Sequence, residues 1–472
     1  MLNNTVPFFL KRYHYWFAAI LFLALNFFKL DHSSMYLDEA YSLFYARQDF
    51  DDLSSIFARE ANPPLHFILL YVWVHLFGAS VMTGRLLSLL LSAILVAIVG
   101  KWLSKHFGGL TSAIFCILFI SSSTVIDMSM ELRTFSLTAL FVMLSVLSFI
   151  RYAEEQTIPR LLLLGLYSLI ATYAHLTAVF PVAIIAITLL FRTKKWKCIL
   201  LYYFIIVLGT LPIVLQLTSD KLNSTSKWMS SPNWDVIQLT FFELGGNWWY
   251  VASILFALFF SLLYVIFRKK ESVTFSWGFL LLTAVGSWGI SIAVSQYIPV
   301  FGIKYIYYSL PLFFMILAIT VGHLGRKLSP IFKGLLVLAV AITFLRGSFI
   351  SPLKSEDWKG AVAYILEHKQ PGELVVVSPV YMYRPFSYYY DYECFATSEP
   401  FPALYEKEAV FLRKINEGFF EYNKPDKIYY LGAHQAVVDP NWENIQQLNE
   451  RYVYLSDTVF MGINLFEFEK RR

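Results

Sequence analysis

Met35-Tyr36-Leu37-Asp38-Glu39-Ala40-Tyr41-Ser42 follows almost directly on an apolar run from Tyr15 to Phe28, and what surrounds this acidic pair decides the fold. The chain has 472 residues, 57% of them hydrophobic, 18% aromatic and only 15% charged, with a mean hydropathy of +0.56. A soluble globule of this size has no use for so much apolar surface, and several runs of about 18 or more apolar residues read as membrane spans. Carboxylates held beside a bilayer are costly and are therefore candidates for function. The Lys11/Arg12 pair precedes the first apolar run, and Lys29-Leu30-Asp31-His32 follows it where a cleavage site would need small residues. The run therefore reads as an uncleaved anchor.

The net charge of +5 comes mostly from basic clusters between spans, which points to membrane orientation rather than to nucleic acid. These clusters are Lys11/Arg12, Lys101/Lys105, Arg151/Arg160, Arg192/Lys194/Lys195/Lys197, Arg268/Lys269/Lys270 and Arg326/Lys327. With each placed on the cytoplasmic side, roughly eleven helices fit between them. They lie near 15–29, 85–104, 110–127, 133–150, 160–174, 177–192, 198–217, 247–267, 274–295, 305–323 and 330–347. The apolar run Leu65–Phe77 is too short to span and would break the charge parity if it did. Introduced by Pro63-Pro64, it reads as a helix on the outer surface.

This arrangement predicts a multi-pass protein of the plasma (inner) membrane with a cytoplasmic N-terminus. The loop 30–84, the turn near Asp127–Arg133, the junction at His175, the loops 218–246 and 296–304, and the tail all fall outside. Cys116, Cys198 and Cys394 are widely spaced and imply neither a disulfide framework nor zinc. Residues 1–347 form the expected membrane domain, loop 30–84 included, and 348–472 an extracytoplasmic α/β domain.

In that tail Ser355 can cap a helix whose first turn holds Glu356 and Asp357, with Trp358, Val362 and Ile365 on one face and Pro371-Gly372 as its end. Leu374–Val377 and Lys427–Leu431 read as strands, and Val453–Leu455 with Ile463–Phe468 as a closing hairpin.

Asp38 and Glu39 point about 100° apart on a helix, so one can face a site while the other orients or caps. A carboxylate here can deprotonate an acceptor hydroxyl or hold a divalent metal; the plainer reading is a solvated loop with acids at a helix start. Tyr41 follows as a supporting residue. Asp127 and Glu131, four apart, are expected on one helical face with Arg133 beyond them; the alternative is ordinary interface residues. Lys304 defies the positive-inside trend, and a lone outer cation suits an anionic lipid headgroup, although it could simply snorkel. Arg85 and Arg346 are similar, weaker cases. His175 stands between two short spans, where a packing role competes with support of an acceptor; His66 and His75 are weaker still. Any Mg or Mn ion would fall to Asp38 and Glu131. The tyrosines Tyr388–Tyr390 and Tyr392, beside Tyr383 and Arg384, suit either sugar stacking or interface packing. Asn223-Ser224-Thr225 matches a sequon by chance composition, and the chain has no Walker loop, GxGxxG or HExxH.

Taken in order, several stretches resemble the bacterial family-39-type glycosyltransferases, relatives of protein O-mannosyltransferases and of the lipid A aminoarabinose transferase. They are Asp38-Glu39-Ala40-Tyr41, Asn62-Pro63-Pro64-Leu65-His66, Leu76-Phe77-Gly78, Arg85-Leu86-Leu87-Ser88, Glu131-Leu132-Arg133-Thr134-Phe135-Ser136-Leu137, Lys304-Tyr305 with Pro311, and Glu356-Asp357-Trp358. The resemblance implies a GT-C fold, a polyprenyl-phosphate-linked sugar donor and a catalytic acid in the first outer loop, which falls on Asp38. Two positions depart from the family pattern: Asn62 replaces a usual His, and Lys304 a usual Arg, which keeps the charge but not the forked phosphate geometry.

The expected function is inverting transfer of a sugar from a polyprenyl phosphate to a lipid, glycan or protein acceptor at the outer face. Asp38 would act as base, Glu39 and Glu131 in support, and Lys304, Arg133 and Arg85 on the donor phosphate. A lipid-linked-sugar flippase would need an ionisable pathway through the midplane or paired broken helices, whereas the spans hold few mid-helix charges and the polar residues gather at one face. An O-antigen ligase or polymerase would place its chemistry in a large late loop, whereas the acids here come early.

Overall fold

The computed structural model describes residues 8–57, 62–217, 231–245, 271–325 and 356–471, with the single positions 252, 255, 259, 329 and 334. Apart from those single positions, the expected spans near 247–267 and 330–347 lie outside these residues, as do Arg346, the Asn223 sequon, Ser355 and the clusters at 268–270 and 326–327. The chain divides into two compact units. The first comprises residues 1–28, 55–69 and 85–352, and the second 29–54, 70–84 and 353–472. Packing thus groups most of the first loop with the tail rather than with the membrane helices, where the sequence reading put it.

The first unit is helical. Its elements are α1 (Phe8–Phe27), parts of α3 (Phe50–Phe57), α4 (Leu65–Phe77) and α5 (Val81–Phe107), then α6 (Gly109–Ser121), α7 (Ser123–Ser129), α8 (Phe135–Glu154), α9 (Ile158–Ala174), α10 (Val179–Arg192), α11 (Trp196–Gln216), α12 (Trp234–Gly245), α13 (Glu271–Val294), α14 (Ile303–Ile306) and α15 (Ser309–Leu324). Among the described residues four helices are long and apolar enough to cross a bilayer: Val81–Phe107, Phe135–Glu154, Trp196–Gln216 and Ser276–Val294. The bent pair α6–α7 makes a fifth if counted as one span, and shorter apolar helices accompany them. At about 1.5 Å per residue, the 13 residues of α4 reach only about 20 Å, short of a hydrocarbon core of about 30 Å.

Without a hydrophobic drive between helices, membrane bundles pack through small side chains and interhelical hydrogen bonds. A Cβ at Gly100 of α5 would stand 2.7 Å from Tyr15 Cβ of α1, and one at Gly322 of α15 would stand 3.0 Å from Thr111 Cβ of α6. Ser112 Oγ donates to the Gly100 carbonyl at 2.7 Å, Tyr173 Oη to the Gly209 carbonyl at 2.8 Å and Trp288 Nε1 to Ser309 Oγ at 2.9 Å.

The expected span 110–127 is not one straight helix. It breaks at Ser122, whose hydroxyl accepts the Val125 amide at 3.3 Å, and α7 departs from α6 at 65°. Because α7 ends at Ser129, Glu131 lies in the turn before α8, so Asp127 and Glu131 do not share a helical face as expected.

The second unit combines α2 (Leu37–Arg47) with the tail: α16 (Trp358–His368), β1 (Leu374–Ser378), α17 (Tyr383–Tyr390), α18 (Tyr392–Ala396), α19 (Pro400–Glu406), β2 (Ala409–Phe411), α20 (Glu417–Tyr422), β3 (Lys427–Ala433), α21 (Gln435–Val438), α22 (Glu443–Arg451), β4 (Tyr452–Phe460) and β5 (Ile463–Lys470). The sheet order is β2-β1-β3-β5-β4, with β1 parallel to β2 and β3, and β5 antiparallel to β3 and β4. Both expected strands and the hairpin are present, and β2 adds an edge the sequence did not reveal.

Every residue of β1 is buried, as a strand covered on both faces requires. Val375 and Val377 enter one core with Trp358, Val362, Ile365, Phe386 and Leu431, whereas Leu374 and Val376 enter another with Ile428, Tyr430, Leu448 and Phe468. Asp357, expected in the first turn, instead caps α16: its carboxylate accepts the Gly360 amide at 3.0 Å.

Candidate functional site

In the first unit three short segments, each following or opening a helix, are stitched together. The turn after α7 carries Glu131 and Arg133, the junction after α9 carries His175, and α14 carries Lys304. Lys304 Nζ lies 3.2 Å from Glu131 Oε1. The Glu131 side chain is only 7% exposed and that of Lys304 33%, so the carboxylate is the buried partner and the ammonium the accessible one.

Thr134 Oγ1 donates to the Ala174 carbonyl at 2.6 Å, tying the first segment to the second. Thr177 Oγ1 donates to the Tyr305 carbonyl at 2.7 Å, tying the second to the third. His175 serves this bracing directly. Its Nδ1 sits 2.8 Å from Thr177 Oγ1 and accepts the Thr177 amide at 3.2 Å, and its ring lies 5.4 Å from that of Tyr305. Lys304 is therefore held by hydrogen bonds through its neighbour as well as by its ion pair.

Arg133 lines a small recess with Asn62, Pro63, His66, Phe67, Thr134 and Ala174. His66 is 4% exposed, and neither of its ring nitrogens has a hydrogen-bond partner among the described residues. Burial, reinforced by the Arg133 charge, pushes His66 down to about 3, against the opposing effect of the Leu132 backbone. Burial and Arg133 push His175 down to about 3 as well. Both imidazoles are therefore neutral, and the positive charge here belongs to Lys304 and Arg133. On the sequence alone His66, on the short surface helix, ranks below His175; its place in Asn62-Pro63-Pro64-Leu65-His66 is the signal available. Arg85 is fully buried on α5, and Asp127 is half-buried on α7.

In the second unit α2 opens at Leu37, which places Asp38 and Glu39 in its first turn, where the helix dipole favours negative charge. Glu39 is completely buried and Asp38 partly exposed, a division of the pair between an inward and an outward carboxylate. Tyr41, one turn on, lies under the Arg384 guanidinium at 5.0 Å. Among the described residues no group of three or more His, Cys, Asp or Glu side chains is placed to hold a metal ion.

Two solved structures share this architecture. The crystal structure of ArnT from Cupriavidus metallidurans bound to undecaprenyl phosphate matches with a TM-score of 0.57 and 12% identity, over 96% of this chain and 97% of that one. The same protein in its apo state matches with a TM-score of 0.57 and 12% identity, over 95% and 97%. No protein-family model matches the sequence, and comparison with the curated proteins finds no match. The fold is thus that of a multi-pass helical membrane protein, GT-C-like, with a small α/β domain. It is the fold of ArnT, the lipid A aminoarabinose transferase.

Proposed function

We propose that the chain is an inverting glycosyltransferase that moves a sugar from a polyprenyl-phosphate donor to a lipid, glycan or protein acceptor on the outer face of the membrane. Asp38 takes the proton of an acceptor hydroxyl, and the freed oxygen attacks the anomeric carbon. The bond from that carbon to the phosphate oxygen breaks, its electron pair leaves with the polyprenyl phosphate, and configuration inverts. The leaving group gains charge as it departs, and Lys304 and Arg133 stabilise it, as fixed cations do for a developing anion. Glu131 pairs with Lys304 and holds its ammonium in place, and Glu39 supports the turn that carries Asp38.

The observation that carries this reading is the ion-paired, hydrogen-bonded mounting of Lys304 in a chain that follows, almost end to end, the fold of a protein solved with undecaprenyl phosphate. Mass spectrometry of envelope lipids and glycans, with and without the gene product, tests it: a sugar-sized mass difference is expected. Asp38→Asn should abolish that difference while leaving expression and thermal unfolding unchanged, a loss of at least about 10²-fold for removal of a general base. Full product from the variant would remove Asp38 from the mechanism.

A further inference from the structure

Arg384 of α17 belongs to no motif, yet its guanidinium lies among three aromatic rings of the helix that bears Asp38. Its guanidinium lies 5.0 Å from the centre of the Tyr41 ring, 5.3 Å from Phe44, 5.2 Å from Tyr45 and 4.5 Å from Tyr383. Its Nη2 donates to Tyr45 Oη at 3.0 Å. Three of those four rings are on α2. The planar cation stacks on faces and also donates a directed hydrogen bond, so it fixes the angle of its partners as well as their distance.

The helix geometry gives this grip its consequence. Successive residues of α2 turn by about 100°, so Asp38 and Tyr45 fall within about 20° of one another, and Tyr41 within about 60° of Asp38. Holding Tyr41 and Tyr45 therefore fixes the rotation of the face on which Asp38 sits. The same tail elements hold the ends of the helix. Tyr389 Oη of α17 accepts the Met35 amide at 2.7 Å, Ser34 Oγ donates to Asp357 Oδ1 at 2.7 Å, and the Arg47 guanidinium lies 4.8 Å from the Tyr392 ring. At a side-chain radius of about 5–6 Å, a 20° rotation moves a carboxylate by roughly 2 Å.

We propose that Arg384 is a positioning residue through which the tail sets the orientation of Asp38. This rests on the catalytic role proposed for Asp38, and the experiment separates the two. In the full-length protein, Arg384→Ala should raise amide exchange across Leu37–Arg47 by about 10-fold or more while strands β1, β3 and β5 keep their protection. Turnover, followed on the product that envelope mass spectrometry identifies, should fall roughly 10- to 100-fold at an unchanged donor half-saturation, since misplacement by an ångström or two costs about that much. Arg384→Lys, which keeps the charge and the stacking, should recover part of the loss.

Unchanged exchange in α2, or unchanged turnover, overturns the proposal. If Arg384→Ala releases the sheet as well, Tyr45→Phe decides, because it removes only the hydroxyl that Arg384 grips; normal exchange and turnover in that variant also overturn it. A wild-type protein that yields no product defeats the glycosyl-transfer reading, and the exchange measurement then still decides whether Arg384 holds α2.

Discussion

His66 and His175 are buried as neutral imidazoles, each pushed from the ordinary 6.5 to about 3. In the unfolded chain both would bind a proton near the ordinary value, so the unfolded state holds more protons between about pH 6.5 and 3. Their contribution to stability is complete above about pH 6.5 and is lost as the pH falls toward 3. The melting temperature of the detergent-solubilised protein should therefore drop between pH 7 and pH 4, and His175→Gln should flatten that slope. An equal slope in the variant would show that the ring is not buried neutral. At this scale the residue types were legible: Glu131, Arg133, His175 and Lys304 each stood out in the sequence as polar groups at span ends. Their mutual arrangement was not, because Glu131 and Lys304 are joined by tertiary hydrogen bonds such as Thr177 to Tyr305, which leave no periodic trace.

Among the elements, the cap of α16 opposes ordinary helix propensity. Alanine normally improves on glycine within a helix by about 1 kcal/mol. At Gly360, however, a Cβ would run into the Asp357 carboxylate that caps the helix. Gly360→Ala is thus expected to destabilise the tail by roughly 1–2 kcal/mol, the cost of a displaced cap. Limited proteolysis or thermal unfolding would check it, and a stabilised variant would refute the cap assignment.

The strands β1 and β3 could be read because a parallel strand covered on both faces needs an unbroken apolar run. The three residues of β2 were too short to show any pattern. The break at Ser122 escaped because Ser121-Ser122-Ser123 lies inside an apolar run that continues on both sides, and only the packing separates a bent pair from a straight span.

The molecule as a whole does not divide where its composition shifts. Composition changes near residue 348, yet the unit containing the tail also takes in residues 29–54 and 70–84. Leu37 packs on the Trp358-centred core, and Ser34 both donates to Asp357 and accepts the Lys359 amide at 3.0 Å. A polypeptide of residues 356–471 alone should melt lower than one to which residues 29–54 are joined by a flexible linker. Equal melting temperatures would show that the tail completes its core without them. No sequence pattern could have announced this, since the partners lie more than three hundred residues apart and each reads locally as an ordinary cap or loop.

Biosynthesis inherits the delay. Ser34 leaves the ribosome 323 residues ahead of Asp357, a wait on the order of tens of seconds at roughly 5–20 residues per second. Throughout that wait the helix carrying the acidic pair lacks its seat. Even then β3 keeps a bare edge until β5, which runs to Lys470, slots between it and β4. The nascent protein therefore depends on having that edge shielded until β5 arrives.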